Sequence, residues 1–172
     1  MFFELFPTVD YINVGQTTSK TVTNIMRRVG VRQAIKENLT VFTRHTIRSG
    51  ETPESIAFDF YGDAELHWII LLTNDIYDRY HQWPMNVNQF RAYVNEKYSD
   101  PFAVHHYEIT QTSGDTTIKI DIGQDNTDHG SATAVTNFEY EESRQDDLRQ
   151  IRLVDPAHVN QFVSDFARLM EE

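Results

Sequence analysis

The chain has 172 residues, of which 40% are hydrophobic and 24% are charged, a composition typical of a globular protein with an ordinary core. It contains no cysteine, which excludes disulfides, thiol catalysis and cysteine-ligated metals. The net charge of −11 is uneven, because residues 1–98 hold 10 basic and 11 acidic side chains whereas residues 99–172 hold 5 and 15. An acidic chain repels phosphate backbones, so we expect no nucleic-acid partner.

The apolar segments are too short for a bilayer. The longest uninterrupted apolar run, residues 68–72, has five residues, whereas a membrane helix needs about 20. The first residues also lack the basic flank and long apolar stretch of a secretory signal, so we expect neither a membrane segment nor a signal. One local basic stretch has two open interpretations, a solvated helix face or a surface for an acidic protein partner. It consists of Lys20, Arg27, Arg28, Arg32, Lys36, Arg44 and Arg48.

The first 48 residues predict a series of short elements. Aromatic and aliphatic side chains crowd residues 2–6, and so apolar a segment should pack on its own domain or on another chain. A weak helical period begins at Thr23 or Asn24 and continues to residue 39, with an interruption at Gly30. Residues 40–48 are rich in β-branched side chains that alternate in character, which predicts a strand.

The most specific part of the sequence predicts two consecutive helices. After a turn at residues 49–51, Thr52 is a good N-cap and Pro53 suits the first helical position, where a missing N–H does no harm. This helix should end at residues 61–63, where a glycine favours termination and an aspartate can cap the next helix. The second helix, residues 64–72, is apolar nearly all round and is therefore predicted to be buried.

Beyond these helices the pattern is a mixture of helices and strands. We predict a helix that begins at Asn86 or Asn88, a hairpin of residues 104–111 and 116–122, a loop over residues 123–136, a strand over residues 148–154 and a terminal helix that starts at Pro156. A lone hairpin is marginal in water, so this one needs a third strand or a partner. In the free chain we expect the amides of residues 1–20 and 123–147 to exchange rapidly.

One segment resembles a known module. Residues 45–57, followed by the Tyr-Gly pair at residues 61–62 and the Leu-Leu-Thr-Asn run at residues 71–74, are similar to the LysM module, whose pattern includes S-G-[DE]-T-x-x-x-I-A. The resemblance implies a βααβ fold in which two helices pack on a two-stranded antiparallel sheet. Residues 76–84 stand where the second strand of that module normally follows, but they lack its apolar-Gly-x-apolar pattern.

A wider resemblance covers most of the chain. Several segments resemble the LysM-containing baseplate wedge subunits of contractile-tailed bacteriophages of the T-even type: residues 2–4, 56–57, 61–62, 66–78, 148–153 and 168–171, together with Trp83. This resemblance implies a non-enzymatic structural protein of the virion tail baseplate, made in the host cytoplasm, that joins neighbouring wedges around the central hub. Its expected partners are other baseplate wedge and hub proteins, without a cofactor or a metal.

These observations give the fold class and the division of the chain. We predict an α+β fold with a central LysM-like βααβ module at residues 40–84. The module should be flanked by an N-terminal extension at residues 1–39 and by a C-terminal region at residues 85–172, which contains the added β-hairpin.

Two sets of residues are candidates for binding. Aromatic side chains are the usual anchors of protein interfaces, and we predict partner contacts by Phe2, Phe3, Phe6, Trp68, Tyr77, Tyr80 and Trp83. The alternative function is that of a peptidoglycan-binding LysM-type module in a cell-wall-associated protein. The resemblance places its sugar groove at Ser49, Gly50, Glu51, Thr52, Asn74 and Asp75. A single copy of the module without a secretion signal disfavours glycan binding.

The sequence contains no motif that indicates a catalytic site. His105 and His106 are adjacent on a predicted strand and therefore point to opposite faces, and no His-x-x-x-His pair occurs on a helix, so we expect no metal site. Carboxylate pairs such as Asp75 with Asp78 have simpler roles in turns and helix caps than in glycoside hydrolysis. A wall-degrading enzyme targeted by a LysM module is therefore the last of three hypotheses, and we predict no catalytic residue.

Overall fold

The structure is a computed structural model that describes residues 2–15, 17–31, 41–114 and 117–171. The chain forms two compact units. The first unit contains Met1–Ile47, Glu51–Gln82 and Gln150–Glu172, and the second contains Arg48–Gly50 and Trp83–Arg149. Most of the second unit is thus inserted between two parts of the first along the sequence. The region predicted as 85–172 is divided between them.

The first unit begins with a short 3₁₀ helix, Phe2–Leu5, and two antiparallel strands, β1 (Thr8–Tyr11) and β2 (Lys20–Thr23). The helix predicted from residue 24 is wrong over residues 24–31, which are turns and irregular backbone. Asn24 has the local hydrogen bond of a cap but no helix begins there. Its side-chain oxygen accepts a hydrogen bond from the Met26 N–H at 3.1 Å and closes a turn. The rest of the predicted helix, residues 32–39, lies outside the described residues.

The predicted strand and helix pair are confirmed as β3 (Phe42–Thr46), α1 (Pro53–Tyr61) and α2 (His67–Thr73), with a 3₁₀ turn at Ala64–Leu66. Local hydrogen bonds set these boundaries. Thr52 and Ser55 form a reciprocal capping box at the start of α1, and Gly62 ends it with a φ of 79°. The α2 helix buries Trp68, Ile69 and Ile70, as its apolar composition predicts.

The second strand beside β3 comes from a distant part of the chain. β7 (Gln150–Val154) pairs antiparallel with β3, with Phe42 opposite Val154 and Thr46 opposite Gln150, two residues 104 positions apart. Residues 76–84 form no strand and contain the short helix α3 (Arg79–Gln82). A two-stranded antiparallel sheet with two helices between its strands is therefore present, and the strand that completes it follows the inserted unit.

The core of the first unit lies between α2, the β3–β7 pair and the terminal helix α6 (Pro156–Glu171), which is amphipathic as predicted. Seven buried side chains form this core cluster: Phe42, Trp68, Ile69, Val154, Val159, Phe166 and Met170. Burying a large apolar side chain stabilises the fold by about 1.5–3 kcal/mol. The aromatic N-terminal segment joins this cluster through Phe2, whose ring centroid lies 5.1 Å from that of Trp68.

The second unit combines a three-stranded sheet with two helices. Helix α4 (Val87–Lys97) is capped by Asn86 and buries Phe90 and Val94. The predicted hairpin is confirmed as β4 (Val104–Thr110) and β5 (Lys119–Asp121), and β6 (Thr133–Thr136) adds a third strand in the order β5-β4-β6. The prediction of a loop over residues 123–136 is therefore wrong at its end, where pairing with β4 decides the structure.

Sequence patterns gave no sign of helix α5 (Asn137–Arg149). Its buried side chains are Glu141 and Gln145, so the side that faces inwards is polar and no apolar period marks it. The helix gives residues 137–147 main-chain hydrogen bonds that slow amide exchange, so we now expect rapid exchange in residues 123–136 only. None of the helices in the described ranges is long and apolar enough to cross a bilayer.

Candidate interaction surface

The predicted aromatic anchors separate into buried and exposed groups. Trp68 and Trp83 are buried, and Phe2 and Phe6 are partly buried against the core of the first unit. Phe3, Tyr77 and Tyr80 are 63%, 75% and 90% exposed. The sequence alone does not separate these groups, because the same aromatic residue types occur both in a protein's own core and at its interfaces.

Tyr77 and Tyr80 lie in a turn that is fixed by hydrogen bonds within the chain. The side-chain oxygen of Gln82 accepts hydrogen bonds from the N–H groups of both Tyr77 and Asp78, each at 2.8 Å. The Asp78 carboxylate accepts another from the N–H of Tyr80 at 3.0 Å. Two exposed aromatic rings are thus presented on an ordered backbone.

One ion pair and one histidine–carboxylate contact lie at this turn. Arg79 Nη1 lies 2.6 Å from the Glu54 carboxylate on α1, and His81 Nδ1 lies 2.5 Å from the Asp78 carboxylate. The hydrogen bond from His81 is the main reason that the pKa of Asp78 is lowered. Burial raises the pKa of Glu54, but its hydrogen bonds and the Arg79 charge outweigh this effect and lower it. The carboxylates therefore stay ionised and hold the turn at neutral pH.

The side chains predicted to form a sugar groove already have structural roles. Thr52 caps α1, and Glu51 lies 3.3 Å from His45. Asn74 makes two hydrogen bonds to the main chain of Arg152, donating to its carbonyl oxygen and accepting from its N–H, each at 2.8 Å. Asp75 adopts a left-handed backbone with a φ of 56°, which places it in a tight turn.

In the second unit, two further residues of the predicted groove have local roles. Ser49 Oγ accepts a hydrogen bond from the Val87 N–H at 3.3 Å, and Gly50 turns with a φ of 88°. This glycine needs its conformational freedom, because a side chain is strained at such a φ.

Side chains of Asn74 and Tyr61 form hydrogen bonds with the edge of β7 that faces away from β3. Residues along an antiparallel strand point their N–H and C=O groups alternately towards and away from the partner strand. The Asp155 N–H donates to the Val41 carbonyl at 2.8 Å, so Val154 and Arg152 point theirs away from β3. Asn74 pairs with Arg152, and the hydroxyl of Tyr61 accepts from the Val154 N–H at 3.0 Å. Side chains from α1 and the end of α2 thus replace a third strand.

A small cavity lies beside the N-terminal 3₁₀ helix. It has a volume of about 170 Å³, and both apolar and acidic side chains line it. Its lining residues are Phe2, Glu4, Leu5, Asp63, Glu65, Leu66, Trp68 and Val163. Pockets for organic ligands usually hold about 300–1,000 Å³, so this cavity is too small for one.

The described residues contain no group of three or more histidine, aspartate or glutamate side chains that could hold a metal ion. His105 and His106 contact each other, with their Nδ1 atoms 2.9 Å apart, but His105 stacks on Tyr140 with ring centroids separated by 3.9 Å. His106 is buried and lies 3.3 Å from the Glu108 carboxylate. These contacts give the histidines a role in packing.

The second unit contains a buried charge cluster that the sequence patterns do not predict. Glu141 is 2% exposed, lies 2.7 Å from Lys97 Nζ and accepts a hydrogen bond from the Tyr98 hydroxyl at 2.8 Å. Burial raises the pKa of Glu141, but the hydrogen bonds from Lys97 and Tyr98 outweigh it and lower the pKa. The one sequence signal for this cluster is weak, since Lys97 and Tyr98 simply end a helix.

Comparison with known proteins gives the family. The family model described as base plate wedge protein 53 matches residues 1–100. The baseplate wedge protein gp53 of Enterobacteria phage T4 is 25% identical over 194 residues, which cover 100% of this chain and 97% of that protein. Two esterases of Mycobacterium tuberculosis, from strains CDC 1551 and H37Rv, are 49% identical over 37 residues, which cover 22% of this chain and 8% of each esterase. Because the family match spans more than half of its length, the chain belongs to the base plate wedge protein 53 family.

Proposed function

We propose that this protein is a structural component of a phage tail baseplate and joins neighbouring wedges around the central hub by protein–protein contacts. Family membership and the full-length similarity to the T4 wedge protein support the place in the baseplate. The observation that supports joining by contact is the exposure of Tyr77 and Tyr80 on one ordered turn. In this reading the protein is part of the virion, and its partners are other wedge and hub proteins.

The turn has the properties of an interface anchor. Tyrosines are enriched among the residues that contribute most to binding, because they bury a large area and lose few rotatable bonds. Here the hydrogen bonds to Gln82 and Asp78 fix the backbone of the turn before binding. The turn therefore loses less conformational entropy when a partner binds. The adjacent Arg79–Glu54 pair is partly exposed and can orient a charged partner without a large contribution to affinity.

A purely structural role agrees with the chemistry of the described residues. They contain no candidate metal cluster, and the Asp78 and Glu54 carboxylates at the turn are engaged with His81 and Arg79. The esterase similarity covers only 22% of the chain, so the activity named for those proteins does not transfer to it. We propose that the chain has no catalytic activity of its own.

The LysM-like character of the first unit remains part of the proposal. β3, α1, α2 and β7 follow the order strand, helix, helix, strand that the resemblance implies. Glycan binding is disfavoured, because Asn74 and Thr52 already use their polar atoms within the fold. We propose that this unit is a scaffold for the aromatic turn and does not bind sugar.

The proposal can be tested with the full chain and the other wedge proteins of its phage. We expect the double variant Tyr77→Ala/Tyr80→Ala to bind them at least about ten-fold more weakly than the wild type, since a ten-fold loss corresponds to about 1.4 kcal/mol and a single hot-spot tyrosine can contribute about 2 kcal/mol. Phe102→Ala is the matched control, because Phe102 is 74% exposed in the second unit. Circular dichroism should show the same helix content in all three proteins.

Equal binding by the double variant and the control would contradict the role of the turn. A sedimentation assay with purified peptidoglycan tests the alternative function in the same preparations. We expect no retention at moderate salt, and robust retention would favour the cell-wall alternative.

A further inference from the structure

Two exposed arginines face each other across the β3–β7 sheet. Arg44 on β3 stands directly opposite Arg152 on β7 in the register, so both side chains project from the same face of the sheet. The sequence leaves Arg44 two interpretations, a solvated helix face or a surface for an acidic protein partner. Because Arg44 lies on a strand, the helix face is excluded for this residue.

The two arginines form the closer kind of cross-strand pair. The hydrogen bond from the Asp155 N–H to the Val41 carbonyl, at 2.8 Å, makes those two residues a hydrogen-bonded pair. Hydrogen-bonded and non-hydrogen-bonded pairs alternate along an antiparallel ladder, so Arg44 and Arg152 are a non-hydrogen-bonded pair. The Cβ atoms of such residues are typically about 4.5–5.5 Å apart, which brings two positive charges into direct proximity.

No described carboxylate neutralises this pair. Neither guanidinium forms an ion pair or a hydrogen bond with a side chain in the part of the chain that the structure describes. Other arginines have such partners, since Arg79 lies 2.6 Å from the Glu54 carboxylate and Arg168 lies 3.2 Å from that of Asp165. Like charges directly opposite each other destabilise a sheet, so this arrangement is unfavourable in the free chain.

The main chain beneath the pair is held in place. Asn74 fixes Arg152 through two hydrogen bonds of 2.8 Å. In the next pair on the same face, the Thr46 hydroxyl donates to the side-chain oxygen of Gln150 at 3.3 Å. Two guanidinium groups are thus presented on an ordered backbone. Each carries a planar fork of N–H donors that matches the two oxygens of a carboxylate or a phosphate.

We propose that Arg44 and Arg152 together bind carboxylates of an acidic segment on another wedge protein. The proposal rests on the proposed wedge-joining function and adds the chemistry of one contact to it. A carboxylate between the two guanidinium groups offsets their repulsion, so the bound state relieves what is unfavourable in the free chain. A nucleic acid is a poorer ligand, because it carries a phosphate at every nucleotide and the net charge of −11 repels it along its length.

The charge reversal Arg44→Glu tests the pair, with Arg28→Glu as the matched control. Arg28 is also exposed but lies on irregular backbone, so its reversal changes the net charge equally and alters no cross-strand pair. In urea unfolding of the free chain, we expect Arg44→Glu to have a higher midpoint than the wild type, because a like-charged pair becomes an oppositely charged one. Arg152→Glu should have the same effect and serves as the second variant.

Binding to the other wedge proteins should change in the opposite direction. We expect Arg44→Glu to bind them at least about ten-fold more weakly than the wild type, and Arg28→Glu to stay within about two-fold of it. These opposite signs separate binding from structure, because replacement of a side chain that only stabilises the sheet would lower the midpoint. A lower midpoint for Arg44→Glu, or equal binding by Arg44→Glu and Arg28→Glu, overturns the proposal.

The same assay distinguishes this site from the proposed function. Equal binding by the two arginine variants, with weaker binding by Tyr77→Ala/Tyr80→Ala, removes the arginine site and leaves the proposed function in place. Weaker binding by Arg44→Glu with unchanged binding by the tyrosine variant supports the arginine site and contradicts the role of the turn. If the wild type binds no wedge protein, both proposals fail. Tighter binding of a single-stranded oligonucleotide than of the wedge proteins overturns the carboxylate ligand in favour of phosphate.

Discussion

The two units of this chain differ in how their polar groups find hydrogen-bond partners. In the first unit, the core is apolar and aromatic, and the polar groups that need partners are main-chain groups of β7, which Asn74 and Tyr61 satisfy. In the second unit, helix α5 turns Glu141 and Gln145 inwards, and its buried carboxylate is held by Lys97 and Tyr98. The difference shows that an apolar pattern identifies the first kind of packing and overlooks the second.

The largest effect should come from the buried carboxylate of the second unit. We expect Glu141→Ala to lower the free energy of unfolding by about 3 kcal/mol, because it removes the carboxylate that accepts hydrogen bonds from both Lys97 and Tyr98. Urea unfolding measures this loss, and Glu142→Ala is the matched control, since Glu142 is an exposed neighbour on the same helix. A loss equal to that of the control would show that the buried pair does not stabilise this unit.

The same carboxylate gives a pH dependence with a defined sign. The folded-state pKa of Glu141 is lowered, so its stabilising contribution is present above the ordinary value of 4.5 and is lost as the pH falls through the folded-state pKa. The difference in stability between the wild type and Glu141→Ala should therefore shrink on acidification below pH 4.5.

A smaller effect should follow from removal of the amide that covers the edge of β7. We expect Asn74→Ala to destabilise the first unit by about 2 kcal/mol, because two hydrogen bonds to Arg152 are lost. Hydrogen exchange should show lower protection of the amides in β7 and β3. Asn160→Ala, at an exposed position of α6, should change stability by less than about 0.5 kcal/mol. Unchanged exchange in β7 would contradict the role assigned to Asn74.

The smallest effect concerns the Tyr61 hydroxyl. We expect Tyr61→Phe to cost about 1 kcal/mol near neutral pH, because the Val154 N–H loses its acceptor. Burial raises the pKa of Tyr61 to about 12 from an ordinary value of 10, so the preference of the fold for the neutral hydroxyl contributes fully below pH 10 and is lost between pH 10 and about 12. Thermal unfolding over this range should show a steeper decline for the wild type than for Tyr61→Phe. Parallel declines would contradict the assignment.

The predicted binding residues show how far sequence reasoning reaches. The sequence predicts the aromatic residues as one set, but Trp68 packs against Phe166 with ring centroids 4.7 Å apart, whereas Tyr80 is 90% exposed. The resemblance places Asn74 in a sugar groove, whereas in the structure its side chain forms hydrogen bonds with the main chain of Arg152, 78 residues later. Such roles depend on which distant segment lies nearby, and no local pattern records that information.

The sequence by itself determined the elements whose signals are local. Thr52, Gly62 and Asn86 set helix boundaries through hydrogen bonds or backbone angles within a few residues, and the apolar stripe of α6 marks its inward side. The tertiary structure alone decided that β7 completes the sheet of β3, that β6 joins β4, and that α5 turns a carboxylate inwards. The physical reason is range: a cap closes within one helical turn, whereas strand pairing and burial depend on segments that only folding brings together.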